Sequence, residues 1–236
     1  MSGPKRGWVV DLGMLAYRPA ADLQAEVLTA VADGRIPSTL LLVEHPPVLT
    51  LGASFHPENL LLPPREYAAM GIEIEKTDRG GDVTYHGPGQ RVAYPIFNVA
   101  ELGKDLHKWL RDLEEAVIRA LAHWGLDGCR FPPRTGVWVG GQKVCAIGIK
   151  VKRWVSMHGI ALNCNNDLSP FGVIVPCGIR DYGVTSLTRL VGRDVAVSEA
   201  TPVLLDAFGQ VFGMELVPKS REELESAIVP PAPSAP

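Results

Sequence analysis

The chain has 236 residues, 46% hydrophobic and 21% charged, with a formal net charge of −3. This is the composition of a soluble globular domain with a full core, and the near-neutral balance excludes a general attraction to nucleic acid or membrane. No apolar run approaches the roughly 20 residues of a spanning helix, and residues 1–6 lead into a strand rather than a signal-peptide core, so a cytoplasmic protein is expected.

Trp8 to Leu12 reads as a first strand, and the run Pro19, Leu23, Val27, Val31 predicts a helix closed by Gly34. Thr39 to Glu44 is a short apolar run of buried-strand type, and H-P-P-V-L-T-L-G turns and continues as its partner strand to Gly52. Asp105 can cap a helix whose Leu106, Trp109, Leu110, Leu113, Val117 and Leu121 recur at helical spacing up to Gly125. Gly136–Val139 and Lys143–Val151 flank Gly140-Gly141, a hairpin signal, and strand character resumes from Val155 to Cys164. Ser198 opens a second amphipathic helix through Val203, Leu204, Ala207, Phe208 and Val211. The last seven residues, from Pro230, are too proline-rich to pack. Many strands and few long helices predict a mixed α/β fold in which sheet dominates.

Four cysteines, Cys129, Cys145, Cys164 and Cys177, contain no C-x-x-C pair, which suggests reduced thiols and neither a metal site nor a disulfide framework. Cys145 and Cys164 lie in strand-like runs and read as packing. Cys177 instead follows Pro176 and precedes Gly178, on a stiff but uncrowded turn where a nucleophile could sit. A thiol with an ordinary pKa of about 8.5 needs a cation or base beside it, and Lys143, His86 and His158 are the candidates. Lys143 stands in the apolar strand Lys143-Val144-Cys145-Ala146-Ile147-Gly148; the alternative is a strand-end lysine with its head in water.

The segment from Arg79 to Gln90, R-G-G-D-V-T-Y-H-G-P-G-Q, offers open backbone N–H groups beside a cation and an imidazole. It contains neither G-K-[ST] nor a G-x-G-x-x-G that opens a helix, so it is not a nucleotide-phosphate loop. The alternative reading is a bulged hairpin whose glycines only permit turns.

Together these segments resemble the octanoyltransferases of lipoate biosynthesis. The likeness is carried by Glu44-His45-Pro46-Pro47-Val48, Arg79 to Gln90, Gly141-Gln142-Lys143 with Ala146-Ile147-Gly148, His158-Gly159-Ile160-Ala161-Leu162-Asn163, and Val175-Pro176-Cys177-Gly178. It runs from Trp8 to about Val217, implying a single catalytic domain over 1–217 and an extension over 218–236 with a disordered proline-rich tail. The resemblance implies a biotin/lipoate protein ligase-like fold, a mixed central sheet flanked by helices. It further implies transfer of an octanoyl group from acyl carrier protein to a lysine of lipoyl domains, those of 2-oxoacid dehydrogenase complexes and of the glycine cleavage H protein, without a cofactor.

By the same resemblance Cys177 is the acyl-thioester nucleophile and Lys143 lowers its pKa. The surface binding the acyl group and its carrier is Arg79, Gly80, Gly81, Asp82, Val83, Thr84, Tyr85 and His86, with Ala146, Ile147, Gly148, Gly159, Ile160 and Ala161. Val83, Tyr85, Ile147 and Ile160 are candidate walls of an apolar slot, and Lys150, Lys152 and Arg153 form a basic cluster that could meet an acidic carrier. Rival readings are an ATP-dependent lipoate or biotin ligase on the same fold, a cysteine hydrolase using Cys177 with His86 or His158, and a carrier-binding module with an idle thiol.

Overall fold

The computed structural model describes residues 5–175 and 183–229. In chain order, β1 (Lys5–Met14) leads through α1 (Tyr17–Ala32) to β2 (Thr39–Glu44) and β3 (Val48–Leu51). Then come α2 (Pro64–Ala69), β4 (Glu73–Lys76), β5 (Val83–His86), β6 (Gln90–Ile96) and α3 (Leu106–Ala122). A run of strands follows, β7 (Cys129–Phe131), β8 (Arg134–Val139), β9 (Gln142–Lys152) and β10 (Val155–Asn163). The described chain ends with α4 (Leu187–Val191), α5 (Val197–Phe212), β11 (Met214–Pro218) and α6 (Arg221–Ile228).

Eight strands form one mixed sheet in the order β11-β1-β2-β6-β10-β9-β8-β7, and three form a second in the order β4-β3-β5. β2 is parallel to β1 and antiparallel to β6, so it lies well inside the large sheet. Its Leu40 to Val43 are at most 1% exposed. That explains a continuous apolar run where an alternating one would mark a half-covered strand.

One face of the large sheet is covered by α3 and α5, the other by α1 and α6. Asp105 caps α3 as its spacing predicts, accepting the N–H groups of His107 and Lys108 at 2.9 and 3.0 Å. Trp109 of α3 then meets Phe97 and Phe212 at ring centroid distances of 5.8 and 5.1 Å, and such aromatic pairs add about 0.5–1.5 kcal/mol each beyond area burial. The β8–β9 hairpin turns at Gly140 and Gly141, whose φ angles of 57° and 78° belong to a turn that twists with its strands.

Three expectations change. β3 is not a partner of β2: Pro46 and Pro47 interrupt the ladder, and the chain crosses into the small sheet, where β3 pairs with β4 and β5. The Arg79–Gln90 segment is no hairpin either, because β5 pairs with β3 whereas β6 pairs with β2 and β10. The segment therefore bridges the two sheets. The second amphipathic helix starts at Val197, with Ala196 at the cap and no side-chain capping bond, rather than opening on Ser198.

α6 has no counterpart among the predicted elements, although Ser220 and Glu223 form a capping box at its start. Leu224 and Ile228 bury its apolar edge with the α1 residues.

Candidate active site

The β9–β10 ladder sets Ala146 opposite Ala161, Ile147 opposite Ile160 and Gly148 opposite Gly159. Because side chains alternate, Ala146, Gly148, Gly159 and Ala161 share the α1-side face and leave it shallow. Above that face runs a narrow slot of about 40 Å³. Its remaining lining is Tyr17, Arg79, Gly80, Gly81, Thr84, His86, Val92, Tyr94, Ile147, His158 and Ile160. A side chain at Gly148 would place Cβ 2.8 Å from the Gly80 carbonyl oxygen, and one at Gly159 would place it 2.2 Å from that of Ala93. Both positions need glycine, Gly148 because the Gly80 backbone passes over it and Gly159 because the neighbouring strand β6 crowds it. The Gly80 N–H closes the approach by donating to the Ile149 carbonyl at 2.8 Å.

Of the residues that sequence resemblance assigns to this surface, the slot is lined by Arg79, Gly80, Gly81, Thr84, His86, Ala146, Ile147, Gly148, Gly159, Ile160 and Ala161. Three do not reach it. In β5 the alternation turns Thr84 and His86 toward the slot and sends Val83 and Tyr85 into the separate core of the small sheet, with Leu49, Leu51 and Phe171. Val83 and Tyr85 are thus corrected from slot wall to packing. Asp82 folds back instead, accepting from Asn59 Nδ2 at 2.6 Å and from the Val83 N–H at 2.7 Å, and holds the bridging loop.

Arg79 is 7% exposed. Its guanidinium donates to the carbonyls of Thr50, Gly80 and Asp82 at 2.7, 3.1 and 2.7 Å and to the Thr50 hydroxyl at 2.9 Å. It stitches the loop to β3 while presenting part of its surface to the slot. His86 donates Nδ1–H to Gln90 Oε1 at 2.7 Å, a direction set because the Gln90 amide nitrogen donates to Tyr85 O and Asn163 Oδ1. His45 similarly donates Nδ1–H to the Leu15 carbonyl at 2.6 Å, so its Nε2 accepts from the Tyr94 hydroxyl at 2.7 Å. Burial holds His86 at about 3 and His45 at about 4, so both rings are neutral at pH 7. The slot wall is polar here, but neither the His86 ring nor the His45 ring packed behind it carries charge.

His158 sits in left-handed backbone, φ 57°, and is 3% exposed. Its backbone N–H donates to Gln24 Oε1 at 2.8 Å and its Nε2 to Asp78 Oδ1 at 2.9 Å. Burial lowers the His158 pKa, against the raising influence of Asp78. Asp78 is itself held below its ordinary value: partial burial raises it, but hydrogen bonds from Lys150 and His158 prevail. The basic cluster is thereby largely neutralised, since Lys150 pairs with Asp78 and Arg153 with Asp33. It also lies at the far end of β9 from Lys143.

Lys143 is 7% exposed, which overturns the reading of a strand-end lysine with its head in water. Its Nζ lies 4.7 Å from the ring centroid of Trp138, its neighbour across the β8–β9 ladder. A desolvated ammonium over an indole face is attracted to the ring's negative face. Cys145 and Cys164 are buried; burial pushes the Cys145 thiol well above its ordinary value and that of Cys164 up to about 12. Both stay protonated and inert at neutral pH, in agreement with packing roles. Cys177 lies outside the described residues. The described chain on either side is tied to the site: the Val175 N–H donates to Asn59 O at 2.8 Å, and Gly183 and Thr185 bond the main chain of Lys143.

The family model of the lipoyl protein ligase A/B catalytic domain matches residues 16–209. An octanoyltransferase of Rubrobacter xylanophilus is 49% identical over 203 residues, covering 85% of this chain and 91% of the relative. The chain belongs to the octanoyltransferases of lipoate biosynthesis. A Chloroflexus aurantiacus octanoyltransferase is 48% identical over 207 residues, 86% of this chain and 93% of that one. The protein is accordingly an enzyme, an acyltransferase of octanoyl groups. Among solved structures, lipoate-protein ligase A bound with ATP superposes with a TM-score of 0.69 at 17% identity, over 97% of this chain and 93% of the ligase. The biotin/lipoate ligase-like fold implied by the resemblance is therefore the fold observed.

Sequence reasoning passed over Tyr17, Val92 and Tyr94 as slot residues. They come from α1 and β6, far apart in sequence, and nothing in their local pattern separates them from ordinary core positions.

Proposed function

We propose that the enzyme takes octanoyl groups from octanoyl-acyl carrier protein and passes them to the lysine of lipoyl domains through a thioester on Cys177. The acceptors are the lipoyl domains of 2-oxoacid dehydrogenase complexes and the glycine cleavage H protein. The observation that carries the reading is the shallow slot beginning three residues along β9 from a buried lysine. Those three residues span roughly 10 Å of strand. An extended eight-carbon chain, with C–C bonds of about 1.5 Å, also spans roughly 10 Å. A chain of that length held by its carbonyl beside Lys143 brings its tail to the mouth of the slot, and each methylene that enters is worth about 0.8 kcal/mol.

In the first step the Cys177 thiolate attacks the carrier's thioester carbonyl, the new C–S bond forms, and the carrier thiolate leaves. One thioester replaces another, so no activation by nucleotide is required. In the second step the amine of the lipoyl-domain lysine attacks the enzyme thioester, the amine loses a proton and Cys177 leaves as thiolate. Lys143 serves both steps, as the cation that favours the thiolate and as the nearby group through which the amine's proton can pass. A structure from the analysis of an archaeal lipoylation system, a bi-partite lipoate protein ligase and its E2 lipoyl domain from Thermoplasma acidophilum, superposes on 95% of this chain and 91% of that one with a TM-score of 0.67 at 15% identity. A lipoyl domain is the partner of a protein with this fold in that system, which supports the choice of acceptor.

Intact-mass spectrometry after mixing enzyme with octanoyl-carrier tests the proposal. The expected result is one octanoyl adduct on wild-type protein, none on Cys177→Ala, and discharge of the adduct by lipoyl domain. An adduct on Cys177→Ala, release of free octanoate without acceptor, or octanoylation of the domain from free octanoate and ATP would each overturn it.

A further inference from the structure

Lys143 is gripped through its main chain. Its N–H donates to the Gly183 carbonyl and its carbonyl accepts from the Thr185 N–H, both at 2.9 Å, a parallel bridge centred on Val184. This bridge fastens the stretch after residue 182 to the lysine. It is a single bridge and not part of a ladder, so its register needs another hold.

Asn163, the last residue of β10, supplies one. Its Nδ2 donates to the Thr185 carbonyl at 2.9 Å, and the two residues are 4% and 1% exposed. On its other side Oδ1 accepts from Gln90 Nε2 at 2.8 Å and from Asn166 Nδ2 at 3.2 Å. Gln90 Oε1 in turn accepts from His86, which lines the slot. One series of buried hydrogen bonds thus runs from the slot wall to the backbone of the lysine, with every amide orientation consistent with its neighbours.

We propose that Asn163 is a positioning residue that sets Lys143 against the 183–185 stretch. This rests on the reading of Lys143 as the partner of a Cys177 thiolate. The need for such a brace follows from distance: the attraction between an ammonium and a thiolate falls with separation, and a misplacement of about 1 Å can cost about 100-fold in rate. Asn163 touches neither the slot nor the lysine side chain. Its effect is on placement alone.

Asn163→Asp tests this at constant size. The carboxylate keeps an acceptor for Gln90 but turns oxygen, rather than N–H, toward the Thr185 carbonyl. The expected result in single-turnover assays is a fall of about 10–100-fold in the rate of octanoyl-adduct formation. The KM for the octanoyl-carrier and the preference among chain lengths stay unchanged, and the pH midpoint for iodoacetamide alkylation of Cys177 moves upward. An unchanged rate and midpoint would overturn the proposal, as would a loss residing in KM or matched by the unfolded fraction in thermal melts. If the aspartate variant does not fold, Asn163→Ser, which retains a small neutral donor, decides by the same readouts. Adduct on Cys177→Ala would break the underlying reading. Cys177-dependent adduct with indifferent Asn163 variants would break only the positioning role.

Discussion

The two faces of the β9–β10 ladder do different work with the same backbone. On the face toward α3 and α5, Cys145 and Leu162, opposite each other in the ladder, are at most 1% exposed in a dry core. On the α1 face, only a stripe of alanine and glycine separates the sheet from empty space. Large side chains hold the fold on one side, and small ones leave room for a ligand on the other. The comparison teaches that stability and substrate choice can be changed separately by substituting adjacent residues.

Adjacent positions 161 and 162 give the sharpest break. Ala161→Leu fills the slot: losing even four methylenes of chain burial, about 3 kcal/mol, lowers kcat/KM for an octanoyl donor by roughly 100-fold. A butanoyl donor suffers much less, and the ratio of the two rates is the measurement. Leu162→Ala does the reverse, costing about 2–5 kcal/mol of stability in urea unfolding. Its kcat/KM per folded molecule stays within about 2-fold, as expected for a residue sharing no partner with the slot. If both variants lose activity alike, the division between faces is wrong.

The slot wall at His86, with His45 packed behind it, also carries a pH signature that the dry core lacks. His45 and His86 bind protons near pH 6.5 when unfolded but only near 4 and 3 in the native state. Between those values the unfolded chain holds more protons. The stability present above pH 6.5 is therefore lost as pH falls toward 4, by up to about 1.4 kcal/mol per pH unit for each ring. Urea midpoints measured from pH 7 to 5, above the carboxylate range, report the effect together with that of the buried His158, and His86→Gln should flatten the slope. A stability that rises or stays level over that interval would contradict the neutral, buried wall.

Local chemistry made much of this legible in the sequence. Asp105 announced α3, and Gly140-Gly141 announced the hairpin. What stayed hidden depends on non-local pairing. Nothing in Val48–Leu51 says that it leaves the large sheet, and so the faces of Val83 and Tyr85 were open to misassignment until β5 had a partner. The series from His86 through Gln90 and Asn163 to Thr185 joins residues up to 99 positions apart (185 − 86), a link no local pattern encodes.

The smallest effect concerns the two ends of β9 rather than its faces. Lys143 is buried at one end, whereas Lys150 and Arg153 at the other already spend their charge on Asp78 and Asp33. If the acyl group is handed over beside Lys143, an acidic carrier has no reason to approach the far end, roughly 20 Å along the strand. Reversing Lys152→Glu and Arg153→Glu together should change the KM for octanoyl-carrier by less than about 2-fold, even at low salt where long-range attraction is strongest. A larger rise that disappears at high ionic strength would place the carrier there after all, and would force the thioester to reach the slot from its His158 end.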